Sequence, residues 1–137
     1  MKRIVVGVDG SPCGAAALQW ATQEAVLRGC ELAIVHGWLL PMLEADVTGM
    51  AMSTGETSGR SIVTDAEAAV HEAAPDLKVF TEVAAASPAA ALIEASSGAE
   101  LVVVGSRGHG TFVGALLGSV SSQVLHHAHC PVVVVRR

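Results

Sequence analysis

The stretch Ile4-Val5-Val6-Gly7-Val8-Asp9-Gly10-Ser11-Pro12 decides how this chain folds. Its first five residues are apolar and rich in β-branched valine and isoleucine, which suits a pleated strand covered on both faces. Asp9-Gly10 breaks the run. Ser11 can cap a helix, and Pro12 fits the first helical position because its missing N–H would have no partner there. Strand, turn and helix start therefore follow one another directly. The pattern recurs along the chain. Leu32 to Val35, Val79 to Val83, Leu101 to Val104 and Val132 to Val135 read as further strands, the one at Val79 to Val83 alternating more and so lying nearer an edge. Helices are expected over Pro12 to Arg28 with Gly29 as its stop, Ser61 to Ala74, Ser87 to about Ser97 with Gly98 as its stop, and Ser119 to His127. The alternation βαβαβαβαβ predicts an α/β fold with a parallel sheet and right-handed crossovers. Pro41 to Ser58, rich in Gly, Thr, Ser and Met, reads as a long irregular and mobile stretch.

Composition narrows the class. The chain has 137 residues, enough for one domain with a buried core, and residues 1–137 read as a single domain without repeat or linker. Hydrophobic residues make up 51% and charged residues 15%, which excludes a disordered chain. Asp9, Glu31, Glu82, Glu94 and Glu100 interrupt the apolar runs, so no membrane span is expected. Met1-Lys2-Arg3 before Ile4 imitates the start of a signal peptide, but the apolar run ends at Asp9 and reads as a strand. A net charge of −5 with no basic cluster beyond Arg136-Arg137 argues against nucleic acid as a partner. Cys13, Cys30 and Cys130 are odd in number and lack CxxC spacing, which points to a reducing compartment, the cytoplasm.

Ligands of open α/β sheets bind beyond the carboxyl ends of the strands, where strand order reverses. The residues there are Asp9-Gly10-Ser11, His36-Gly37-Trp38, and above all Gly105-Ser106-Arg107-Gly108, with Gly118-Ser119 opening the last helix. Glycines let backbone approach an anion closely, and successive N–H groups make a concave nest. The N–H groups and dipole at a helix start attract negative charge, and Ser119 adds a hydroxyl. This is the chemistry of a phosphate cradle. The bland alternative, that the glycines only make turns, is outweighed by a buried strand before the loop and a helix after it. Asp9 can meet a ribose hydroxyl or an adenine amine, hold Mg²⁺ through water, or cap the following helix. Arg107 can pair with phosphate or stand as a solvated loop charge. Ser106 and His109 suggest a nucleophile and base, but no GxSxG elbow supports them. His126, His127, His129 and Cys130 resemble metal ligands, yet they cluster at a helix end and adjacent histidines point to different faces, so no metal site is expected.

The spacing Gly105, two residues, Gly108, nine residues, Gly118-Ser119, together with Val6-Gly7-Val8-Asp9-Gly10-Ser11 and the closing Cys130-Pro131-Val132-Val133-Val134-Val135, resembles the universal stress protein family over essentially the whole chain. The resemblance implies a doubly wound five-stranded parallel sheet in the order 3-2-1-4-5 with helices on both faces, a homodimer, and the ATP-binding subgroup. It places Gly7, Val8 and Asp9 around the adenosine, Gly37 beside the adenine, Val104 and Gly105 at the ribose and base, and Gly108, Gly118, Ser119 and Val120 at the phosphates. The Walker motif is absent, and neither lysine, Lys2 or Lys78, lies in these loops, which sets aside P-loop and phospho-receiver readings. Two functions compete: a stress-response regulatory module whose ATP occupancy alters partner contacts, and a slow ATP hydrolase. A sensor of another adenine ligand such as cyclic AMP is a third. One strand-end carboxylate and one Arg, without a positioned base, favour regulation over fast phosphoryl transfer. The apolar last strand, Val132 to Val135, at a sheet edge in the implied order, points to homodimer pairing there.

Overall fold

The computed structural model describes residues 2–38, 50–108 and 117–136. Strand β1 (Arg3–Gly7) leads into α1 (Pro12–Arg28), β2 (Glu31–Gly37) into α2 (Met50–Ala73), β3 (Val79–Ala84) into α3 (Pro88–Ala95), and β4 (Leu101–Gly105) into α4 (Ser119–His127), before β5 (Val132–Val135) ends the sheet. The order is β3-β2-β1-β4-β5, and every neighbouring pair is parallel. The α/β class and the strand order are those the sequence led us to expect.

Period-two alternation along the strands divides the core between two faces. Ile4, Val6, Leu32, Ile34, Leu101 and Val103 pack with Ala17, Leu18, Ala21 and Ala25 of α1 and with Val63, Ala66 and Val70 of α2. Val5, Ala33, Val35, Val102 and Val104 face the other way, onto Ala91 and Leu92 of α3 and Val124 of α4. With both faces covered, Ile4, Val5, Val6, Val102 and Val103 are completely buried. Each such side chain contributes about 1.5 to 3 kcal/mol relative to exposure.

The helix boundaries follow local chemistry. The Ser11 hydroxyl accepts the Gly14 N–H at 3.1 Å, and α1 stops at Gly29, whose φ of 66° is left-handed. Ser87 caps α3 in the same way, accepting from Ala90 N–H at 3.2 Å.

Helix α2 departs from expectation. It begins at Met50, not near Ser61, so residues 50–58 of the stretch read as irregular are helical, while 41–49 lie outside the described residues. Glycine, serine and threonine give this segment weak helix propensity. Packing overrides it. A Cβ on Gly55 would lie 2.6 Å from the Trp38 ring, and one on Gly59 would lie 2.8 Å from the His36 ring and 2.9 Å from Val83. Glycines four residues apart therefore let α2 settle onto the ends of β2 and β3. The two edge strands, β3 and β5, are partly exposed, as Val79 to Val83 had suggested for β3. Among the described residues no helix is long and apolar enough to cross a membrane.

Candidate functional site

Strand order reverses between β1 and β4. Their helices depart to opposite faces, α1 onto one core and α4 onto the other, which leaves a crevice beyond the two carboxyl ends. The turn after β1 is held by its own side chains. Asp9 Oδ1 accepts the Ser11 N–H at 2.9 Å and the Ser11 hydroxyl at 2.5 Å, and Ser11 Oγ in turn accepts from Gly14. The carboxylate thus braces the helix start, which Ser11 caps.

The other carboxylate oxygen faces the β4 loop. A Cβ on Gly108 would sit 2.5 Å from Asp9 Oδ2, and one on Gly14 would sit 2.8 Å from Oδ1. Glycine at both positions lets the two segments come close to the Asp9 carboxylate. On the far side, the backbone of Ser106 ties three elements together. Its N–H donates to the Val135 carbonyl at 2.9 Å, and its carbonyl accepts the Gly118 N–H at 2.7 Å and the Ser121 hydroxyl at 3.2 Å. The end of β5 and the start of α4 are thereby fixed to the loop leaving β4. Gly118 is buried as the N-cap of α4 with no side-chain cap, and the first turn of α4 carries no acidic residue. Ser119 is exposed and Val120 half-buried there. Between α1 and the β4 loop lies a cleft of about 720 Å³ lined by Ser11, Pro12, Cys13, Ser106, Arg107, Gly108, Leu117 and Arg136.

The residues singled out from sequence are placed as follows. Asp9, Arg107 and Gly108 converge, with Gly118 tied to them through Ser106. Gly105 underlies the crevice floor, where a Cβ would lie 2.8 Å from the backbone of Cys13. Gly7 sits against Leu92, whose Cδ1 would be 2.7 Å from an added Cβ. Gly37 is covered by the backbone of Ala86, Ser87 and Pro88, each 2.8 Å from such a Cβ. Val104 is buried on the α3–α4 face of the sheet. Val8 is buried and its carbonyl accepts a hydrogen bond from His36 Nδ1 at 2.7 Å. His109 lies outside the described residues. His126, His127 and His129 are exposed, and no group of three or more metal-ligating side chains forms among the described residues.

Residues 1–136 match the family model described as the universal stress protein family. The chain belongs to the universal stress protein family. A universal stress protein of Mycolicibacterium smegmatis is 41% identical over 133 residues, which is 97% of this chain and 45% of that protein. The chain thus spans about half the length of the curated relatives it matches. Among solved structures, the universal stress protein UspA of Lactobacillus plantarum superposes with a TM-score of 0.79 at 22% identity, covering 98% of this chain and 97% of that one. A universal stress protein in complex with cAMP superposes with a TM-score of 0.72 at 27% identity, covering 98% of this chain and 96% of that one.

Two wall residues of this universal stress protein escaped the motif reading. Cys13 stands in the first turn of α1, and Arg136 follows β5 directly. A signal for Arg136 exists in the strand pattern. Every strand of a parallel sheet delivers its next residue to the same edge, so the residue after β5 belongs beside those after β1 and β4.

Proposed function

We propose that this chain is an adenine-nucleotide-binding regulatory protein of the stress response, that its ligand is ATP, and that hydrolysis is slow at most. The observation that carries the reading is the closure of the Gly108 loop over the Asp9 carboxylate, which joins the loops after β1 and β4 into one crevice at the reversal of strand order. In this reading Gly7, Val8 and Asp9 border the nucleoside, with Gly37, Val104 and Gly105 behind the base and ribose. Gly108, Gly118, Ser119 and Val120 border the phosphates, and Arg107 pairs with them. The cAMP complex of a protein 27% identical supports an adenine ligand. The acid-free first turn of α4 suits an anion. Mg²⁺ would accompany the triphosphate, with Asp9 reaching it through water. The half-buried valines Val132 to Val135 on an open sheet edge support homodimer pairing, and three cysteines without CxxC spacing support a cytoplasmic setting.

Calorimetry with ATP, AMP and cyclic AMP tests the reading and separates it from a cyclic-nucleotide sensor. ATP should bind most tightly. Asp9→Ala should weaken ATP and adenosine alike, whereas Gly118→Val should abolish triphosphate binding and spare adenosine. Circular dichroism confirms that each variant is folded. Tight ATP binding by folded Gly118→Val would move the phosphate site elsewhere.

A further inference from the structure

Most basic side chains in this acidic chain already have a carboxylate. Lys2 pairs with Glu100, Arg3 and Lys78 with the buried Glu31, Arg28 with Glu24, and Arg60 with Glu56. The two other described arginines, Arg107 and Arg136, form no ion pair with any described carboxylate, and both line the cleft beside α1. Among the described residues no Asp or Glu lines that cleft, although the chain carries a net charge of −5. With Asp9 turned to the Gly108 loop at its rim and two arginines in its lining, the cleft carries more positive than negative charge among the described residues, which favours an anion.

The backbone brings the two arginines to the same end of neighbouring strands. Arg107 follows Ser106, and Arg136 follows Val135. The Ser106 N–H donates to the Val135 carbonyl at 2.9 Å, so one hydrogen bond joins the residues immediately before the two arginines. They leave from adjacent parallel strands, β4 and β5, toward one cleft.

We propose that Arg107 and Arg136 form a two-sided anion clamp that selects the ligand by its charge, favouring a polyphosphate tail over a cyclic monophosphate. The inference deepens the nucleotide reading and rests on it for the adenine part of the ligand. Planar guanidinium groups bind phosphate oxygens through paired N–H donors, and two of them need an anion long enough to reach both. A triphosphate offers several negative charges along an extended tail. A cyclic phosphodiester offers one, held close to the ribose. Because both arginines are exposed, the attraction is screened by salt.

The test is calorimetry on the full chain at low and high salt, using ATP, adenosine, cyclic AMP and inorganic tripolyphosphate. At low salt Arg136→Gln should weaken ATP and tripolyphosphate roughly tenfold, the loss expected for one charge-assisted contact. Adenosine and cyclic AMP should be unchanged, Arg136→Lys should recover part of the loss, and high salt should shrink the difference. Unchanged ATP and tripolyphosphate affinity in Arg136→Gln overturns the clamp while leaving the nucleotide reading intact. An equal loss for adenosine also overturns it. Arg136-dependent binding of tripolyphosphate without any adenosine binding would support the clamp and refute the adenine assignment. A parent protein that binds none of the four ligands refutes both.

Discussion

Replacing Gly105 by alanine tests whether that glycine serves the backbone or a ligand. A Cβ there would lie 2.8 Å from the carbonyl carbon and oxygen of Cys13, where ordinary contact begins at 3.4 Å, a shortfall of about 0.6 Å. Neither atom belongs to a flexible side chain. Both are main chain in the first turn of α1, which is held by the Ser11 cap and packed through Ala17, Leu18 and Ala21 onto the sheet. Relief therefore requires α1 and β4 to separate, and separation loosens a close-packed face. Overpacking of this kind costs about 1 to 3 kcal/mol. For a domain of this length that corresponds to a fall in Tm of roughly 4 to 12 °C. Thermal unfolding followed by circular dichroism measures it. Gly29→Ala is the matched control: nothing lies within 4 Å of its Cβ, and its cost, about 1 to 2 kcal/mol, comes from the left-handed φ of 66° alone. The two variants should differ in where the damage falls. Gly105→Ala should also speed amide exchange in β4 and in the first turn of α1, and Gly29→Ala should not. If Gly105→Ala unfolds within about 1 °C of the parent, the tight approach of β4 and α1 is not what requires glycine there, and the packing argument fails.

Other perturbations probe the supports of the fold. Ser11→Ala removes the α1 cap and a donor to Asp9, and should cost about 1 kcal/mol in urea unfolding. Ser96 is completely buried, donates to the Ile93 carbonyl at 2.6 Å and accepts the His129 N–H at 2.9 Å. Ser96→Ala leaves that N–H without its partner and should destabilise by about 1 to 3 kcal/mol, read from the same denaturant midpoint. Burial pushes the Cys130 thiol above its ordinary range, against a smaller opposing pull from the Val102 backbone. A raised pKa means less thiolate at any given mildly alkaline pH, so iodoacetamide should modify Cys130 more slowly than free cysteine, with the deficit vanishing in denaturant. Mass spectrometry at timed intervals follows the reaction.

Much of this protein is written in short-range chemistry. Short apolar runs, each bounded by glycine, aspartate or proline signals, determined the alternation of strands and helices. Ser11-Pro12 and Ser87-Pro88 marked two helix starts correctly because a cap and a first-turn proline act within one turn of chain. The glycine spacing from Gly105 through Gly108 to Gly118-Ser119 identified the loop that meets Asp9, since that pattern is local to one strand–helix connection.

Tertiary structure decided the rest. Helix α2 runs through Gly55 and Gly59, ahead of the expected start at Ser61, where the two glycines fit against Trp38, His36 and Val83, partners that a local reading could not supply. The close approach of the Ala86 to Pro88 backbone to Gly37 is a contact made only when β2 and β3 pair. Arg136 joins Arg107 because β5 lies beside β4, although all of α4 separates the two arginines along the chain. Propensity and capping act over one or two turns of chain, whereas these placements depend on which strands become neighbours, and that is settled by burying both faces of the sheet at once.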